Sequence, residues 1–261
     1  MSGKSFNVVF ILVFVTILVL YSDAAQAQIA VENGLVSFWT FDNADIDGDT
    51  VKDIVGDNDG IMQGDPKSVP GKINQALEFD GSSTFVDCGS DDSLNLTDAI
   101  TIELWMMPNS AGEGGANAGP ICKAIDGGSW AYQLRYNAPG SFMGFQFNAG
   151  GSKWISVQEM LEPEEWHHIT GTYDGSDAVC YLNGEEADRL SIPAINSSSD
   201  PLLIGQDGWL NVFDGVVDEV RIYDRALSET EVKQNFSSRV QLSVRPAGKL
   251  AITWGCVKAV R

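Results

Sequence analysis

Apolar and polar residues alternate with a period of two in short runs along most of the chain. The runs 35–41, 76–79, 85–88, 100–107, 130–136, 142–147, 168–173, 178–182, 201–205 and 216–223 each predict a strand. Between them stand dipeptides that close hairpins: Asp80-Gly81, Asp174-Gly175, Asn183-Gly184 and Asp207-Gly208. No long helical pattern intervenes, so two packed antiparallel sheets are expected. The one expected helix is 228–236, opened by a capping box of Ser228 and Glu231. No internal repeat of fixed period occurs, and the Gly/Ala/Asn-rich stretch 110–119 reads as a loop.

The last strand carries the most information. Strict alternation in 216–223 puts Val216, Asp218, Val220 and Ile222 on one face, and Val217, Glu219, Arg221 and Tyr223 on the other. Asp218 then lies on an apolar face, where a carboxylate without partners is costly. Glu219, facing away, is expected as a surface charge. Trp130, Tyr132, Leu134 and Tyr136 share one parity and read as core, as do Trp39, Trp105 and Trp166. Trp154 and Trp209 differ because they stand beside the polar turns 150–152 and 206–208. Indoles so placed stack on a sugar or a peptide, with Asn148, Gln206 and Asn211 to donate and accept hydrogen bonds; rim packing is the plainer alternative. Arg135, opposite in face to Tyr136, suits an acidic ligand or a surface ion pair.

Composition narrows the partners. The formal net charge of −20 argues against nucleic acid and against anionic membrane surfaces, and suits either a divalent cation or simple solubility. The basic residues Arg239, Arg245, Lys249, Lys258 and Arg261 gather in 237–261, which reads as a tail with a possible strand pair at 240–244 and 250–254. At the other end, residues 6–21 are apolar except for Asn7 and Thr16, and Ala25-Gln26-Ala27 follows. That is the pattern of a signal peptide spanning 1–27, and the run is shorter than the ~20 residues of a membrane span. The expectation is a secreted or periplasmic chain with no membrane span after cleavage. Cys88, Cys122, Cys180 and Cys256 permit three full disulfide pairings, or buried thiols in small apolar positions.

Several stretches taken together carry a resemblance. Residues 34–42 (GLVSFWTFD), 76–81 (ALEFDG), 84–87, 100–106 (ITIELWM), 165–175 (EWHHITGTYDG), 181–184 (YLNG) and 218–223 (DEVRIY) resemble, in order, strands of the laminin-G-like, concanavalin A-like jelly-roll domains. The resemblance covers about 34–236 and places the domain at 28–236. It implies an all-β, two-sheet antiparallel jelly-roll sandwich with one short C-terminal helix. It also implies a non-catalytic module for glycans or protein partners, often with a structural calcium ion.

Two calcium arrangements follow. The acidic loop 42–53 has oxygens at alternating positions and Gly48 at its turn, like half of an EF-hand loop, but Ile54 stands where the bidentate Glu is needed; a solvated surface loop is the equal alternative. The resemblance brings Asp42, Asp80, Gly81 and Asp218 together as a better set, completed by backbone carbonyls. For catalysis, Glu78-x-Asp80 begins the paired-carboxylate pattern of this fold's glycoside hydrolases, but Ser83 occupies its third place. The neighbours His167 and His168 cannot converge on one metal, and no Gly-x-Ser-x-Gly occurs. Three Asn-x-Ser/Thr acceptors stand at Asn95, Asn196 and Asn235. The reading is a secreted, non-catalytic module for extracellular or cell-surface carbohydrate with structural calcium. A protein-binding adhesion module of the same fold is the first rival, a glycoside hydrolase the second.

Overall fold

The computed structural model describes residues 30–109, 117–124, 130–137, 142–157 and 159–238. Residues 1–27, expected as a signal peptide, Cys256, most of the stretch 110–119 and the residues from 239 onward lie outside the described residues. Two antiparallel sheets face each other. The eight-stranded sheet runs Glu185–Ser191, Asp177–Leu182, His167–Tyr173, Ile100–Pro108, Asp214–Tyr223, Gln75–Asp80, Lys67–Pro70, with Leu35–Trp39 beside the second half of Asp214–Tyr223. The nine-stranded sheet runs Ser152–Ser156, Phe142–Asn148, Tyr132–Asn137, Asn117–Lys123, Leu202–Ile204, Phe85–Asp87, Gly60–Gln63, Thr50–Val51, Ile46–Asp47.

Alternate residues of the long strands meet between the sheets. Ile102, Leu104 and Met106 from one sheet pack with Tyr132, Leu134, Phe145 and Phe147 from the other, together with Trp39, Phe79, Ile169 and Ile222. The fit is close. A Cβ on Gly171 would stand 2.7 Å from the Phe145 ring, so the missing side chain there lets the aromatic ring cross to the facing sheet.

The strand Asp214–Tyr223 departs from strict alternation. Asp218 pairs with Trp105 and Arg221 with Glu103, so Glu219 and Val220 together oppose Leu104: a β-bulge, with Glu219 at φ 54°. The extra residue shifts the phase. Val217, Val220 and Ile222 enter the core, while Asp218 shares the outer face of its sheet with Trp105, Glu103 and Arg221. Both expectations for this pair are therefore corrected. Asp218 is buried, but not among Val220 and Ile222, and Glu219 is fully buried rather than a surface charge.

That outer face is covered by the helix Glu229–Ser237 and by residues from Ala30 on. Val232 packs with Val31, Val179, Tyr181, Tyr223 and Leu227. The Ser228–Glu231 capping box forms as expected. Asn235 ties the layers together. Its Oδ1 accepts from Val31 N–H at 2.7 Å, and its Nδ2 donates to Glu103 Oε1 at 2.8 Å and to the Tyr223 hydroxyl at 2.9 Å.

The acidic loop 42–53 has regular local structure of its own. It forms a one-turn 3-10 helix, Asn43–Asp45, and a small hairpin, Ile46–Asp47 with Thr50–Val51, turning at Gly48 with φ 62°. Asp53 is spent on backbone, its Oδ1 accepting from Phe38, Val55 and Gly56 and its Oδ2 from Asn58. Cys88, Cys122 and Cys180 are buried free thiols.

Candidate functional site

The outer face of the nine-stranded sheet gathers side chains far apart in sequence. Register places Trp154 opposite Gln146, Gln146 opposite Gln133 and Gln133 opposite Cys122, a row across four strands. Within it Gln133 Nε2 donates to Gln146 Oε1 at 2.6 Å, and Gln146 Nε2 donates to Ser152 Oγ at 2.7 Å. Gln133 Oε1 is buried without a partner. In the adjoining row Arg135 stands opposite Gly144. The Trp154 indole lies over Gly144, where a Cβ would meet its Cζ2 at 2.5 Å; any larger residue would lift the ring from the sheet.

The 206–212 loop completes this face. Asp207, fully buried, folds it: Oδ1 accepts from the N–H groups of Trp209 and Asn211, both at 2.9 Å, and Asn211 Nδ2 reaches Oδ2 at 2.9 Å. Gln206 and Val212 close the loop with a β-bridge. The loop holds Trp209 out at 42% exposure and Leu210 at 73%, the latter at φ 66°, a conformation costing a non-glycine residue about 1–2 kcal/mol. The Arg135 guanidinium stands 5.2 Å from the centre of the Trp209 ring, and the Trp130 ring meets Trp209 edge-on at 6.3 Å.

Of the five residues expected to bind a ligand, Trp154 and Trp209 share this face. Asn211 braces the loop, Gln206 is buried, and Asn148 Oδ1 accepts from Gly151 N–H to close its own turn. Trp130 is not in the main core: it packs with Cys122 and Ala124 behind Trp209. Gln133, Gln146 and Asp207 were not singled out from sequence. Glutamines on the outward parity of strands 132–137 and 142–148 were the available signal.

The expected metal set is half assembled. Asp42 and Asp218 both hold the 71–75 turn: Asp42 Oδ1 accepts from Gln75 N–H at 2.9 Å, Asp42 Oδ2 from Asn74 Nδ2 at 3.1 Å, and Asp218 Oδ2 from Ile73 N–H at 3.0 Å. Asp80 and Gly81 are elsewhere. Asp80 pairs with Asp214 at the far end of the strand, and its Oδ1 accepts from Ser82, Ser83 and Thr84 N–H groups. Gly81 N–H donates to Phe213 O.

Asp218 Oδ1 and Glu219 Oε1 are buried with no partner. Burial, reinforced by Glu219, pushes the Asp218 carboxyl up to about 8, and burial outweighs Arg221 to bring Glu219 to about 7. Arg221 binds both Glu219 and Glu103, the latter at 3.2 Å. Oxygen donors suit a hard cation such as calcium, which wants six to eight of them. Among the described residues, no group of three or more His, Cys, Asp or Glu has the geometry to hold a metal ion.

Beside this cluster lies a cleft of about 670 Å³ lined by Lys72, Ile73, Asn74, Trp105, Phe236 and the two serines that follow. Lys72 Nζ rests 4.0 Å above the Trp105 ring. His168 is fully buried against Trp105 and Phe236, and His167 Nε2 lies 2.9 Å from Glu162 O, so neither faces a common centre. For Glu78-x-Asp80, the turn consumes the second carboxylate, and Glu78 Oε1 lies 3.5 Å from Asn109 Nδ2, which also donates to Asp214 at 3.0 Å.

Two facing antiparallel sheets with one C-terminal helix define a jelly-roll sandwich. A family model described as the concanavalin A-like lectin/glucanases superfamily, of laminin-G type, matches residues 80–233, and the chain belongs to that family. The curated Paraclostridial mosquitocidal protein 1 of Paraclostridium bifermentans is 30% identical over 86 residues, 31% of this chain and 7% of its own length. The chain thus spans a small part of that relative. Among solved structures, domain 4 of AbnA, a GH43 extracellular arabinanase from Geobacillus stearothermophilus, in complex with arabinotriose, has a TM-score of 0.61 at 20% identity, covering 77% of this chain and 97% of that one. The binding domain of Paraclostridial Mosquitocidal Protein 1 gives 0.63 at 18%, over 78% of this chain and 52% of that one. The binding domain of Botulinum Neurotoxin DC in complex with SialylT gives 0.64 at 12%, over 80% and 52%. These likenesses show the fold.

Proposed function

We propose that the domain is a secreted, non-catalytic carbohydrate-recognition module that binds extracellular or cell-surface glycans on the outer face of its nine-stranded sheet. One observation carries the reading: an exposed indole, Trp209, held by a loop built on Asp207, shares one sheet face with a second indole, Trp154, and the Gln133–Gln146 row. Flat apolar rings between oriented polar groups match a sugar, whose faces are apolar and whose edge is hydroxyl. The AbnA domain with arabinotriose and the toxin domain with SialylT support the same use of the fold. The carboxylates support binding over hydrolysis, since Asp80 is committed to its own turn.

A glycan array probed with the wild type, Trp209→Ala and Trp154→Ala tests this. Binding that falls about tenfold or more in Trp209→Ala, some 1.4 kcal/mol, is expected. Glycan binding indifferent to both substitutions would sink it. The exposed Leu210 favours one rival, a protein-binding module, and capture of a defined cell-surface protein, abolished by Leu210→Ser with no glycan bound, would establish that instead.

The calcium reading narrows to the two carboxylates of Asp42 and Asp218 at the 71–75 turn, with backbone carbonyls to complete the shell. Calcium there would have the structural role of neutralising buried acids and pinning the 71–75 turn. A folded-state site raises stability by about 2.7 kcal/mol at a hundred times its dissociation constant. Melting in calcium and in chelator is therefore expected to differ for the wild type and not for Asp218→Asn. Equal melting of the wild type in both overturns the reading.

A further inference from the structure

Arg135 occupies the middle of the proposed glycan face. On one side its cross-strand partner is Gly144, whose missing side chain lets the Trp154 indole lie flat. On the other its guanidinium lies 5.2 Å from the Trp209 ring. Gln133 precedes it by two residues on the same face, and Gln146 is the diagonal neighbour. Among the described residues Arg135 forms no ion pair, although the chain carries 36 acids to 16 lysines and arginines. A half-buried guanidinium against an exposed indole, opposite the glycine on which a second indole lies, is not something a neutral sugar requires.

From this placement we infer that the site, taken as the carbohydrate site proposed above, selects glycans bearing a carboxylate. The guanidinium fork presents parallel N–H donors that match a carboxylate bidentately, and such charge-assisted bonds are roughly twice as strong as neutral ones. The Trp209 ring beside the guanidinium shields it in part from water, which strengthens the contact. The −20 net charge opposes an anionic ligand at long range, but the Debye length is about 8 Å at physiological salt, and Asp207, the acid of the adjoining loop, is buried and taken up by the Trp209 and Asn211 N–H groups, so at contact the guanidinium dominates. The role of Arg135 is thus selection. The indoles supply the affinity common to acidic and neutral sugars.

The test uses uronic-acid and sialic-acid oligosaccharides, each beside its carboxyl-reduced counterpart, titrated at 0.15 M salt into the wild type, Arg135→Gln, Arg135→Lys and Trp209→Ala. The wild type is expected to prefer at least one acid over its reduced form by about tenfold or more. Arg135→Gln brings that ratio close to one, whatever it does to the affinity for the reduced form; Arg135→Lys, a point charge without the fork, falls between. Trp209→Ala weakens both forms alike. If the wild type shows no preference for any acid, or Arg135→Gln keeps the ratio, the inference fails while the carbohydrate reading stands. If neither these sugars nor any on the array bind, both fall together.

Discussion

Buried and neutral, His168 is expected to make the protein's stability fall in mild acid. Its ring is fully buried between Trp105, at 5.0 Å, and Phe236, at 5.9 Å, and neither ring nitrogen has a hydrogen-bond partner. Burial lowers its pKa from 6.5 to about 3, and the nearby charges of Arg221 and Lys72 add to the effect. Glu103 Oε2 lies 3.8 Å from Nε2, beyond hydrogen-bonding distance, and burial raises the Glu103 pKa, so this carboxyl does not hold an imidazolium in place. With the folded pKa depressed, the unfolded chain takes up the proton first. The stability is complete above pH 6.5 and drains away as pH falls toward about 3. At pH 5 the loss from this residue is about 2 kcal/mol relative to pH 7.5. The raised carboxyls Asp218, Glu219 and Glu103 work in the opposite direction, because they gain protons on folding. The measurement must therefore be a difference. Urea unfolding of the wild type and His168→Phe, followed by tryptophan fluorescence at both pH values, isolates the histidine. The variant is expected to gain about 2 kcal/mol on the wild type between pH 7.5 and pH 5. A constant offset would refute the neutral buried ring, and a shift of the opposite sign would show an imidazolium paired with Glu103.

Three further outcomes follow from the packing. Asn235→Ala strands Val31 N–H and removes a donor from Glu103, and each orphaned buried group costs about 1–3 kcal/mol, so a clear drop in urea midpoint is expected. In a host that glycosylates Asn-x-Ser/Thr, peptide mapping is expected to find the folded product modified at exposed Asn196 and bare at buried Asn235. Asp207→Ala deprives the Trp209 and Asn211 N–H groups of their acceptor, and is expected to reduce glycan binding as far as Trp209→Ala does; unimpaired binding would show that the loop holds itself.

The long central strands were readable because each has one face in the sandwich core, and a period of two survives there. Ile100–Pro108 and His167–Tyr173 match their predicted spans to within a residue or two. Several of the strands that sequence missed lack that imprint. Glu185–Ser191 is an edge strand exposed over nearly its whole length, and its Glu-Glu-Ala-Asp-Arg-Leu-Ser has no apolar face to announce it. Ile46–Asp47 and Thr50–Val51 are two residues each, too short for any period. The Asp214–Tyr223 strand failed in a different way. Its residues were placed correctly in the strand and wrongly on its faces, because a bulge at Glu219 slips the phase by one. Nothing in Val-Asp-Glu-Val announces a non-glycine residue with positive φ.

The same slip explains why one sheet face is closed and the other is the candidate site. By moving Asp218 to the outer side, beside Trp105, Glu103 and Arg221, the bulge makes the outer face of the eight-stranded sheet rich in charge that cannot remain half-solvated among aromatic rings. The helix and the segment from Ala30 seal it, and Asn235 and Tyr223 hydrogen-bond to both the seal and the charges. That face is spent on stability. Among the described residues the nine-stranded sheet carries no such ionic row, and its outward residues include amides, an arginine and an indole, with Trp209 held over the same face by its loop. Its row of Trp154, Gln146 and Gln133 exists only through strand register, and Arg135 joins Trp209 only through a loop folded on Asp207. Single residues could be nominated from sequence. Their convergence could not, because register and loop closure are set by the whole sandwich and not by any local run of residues.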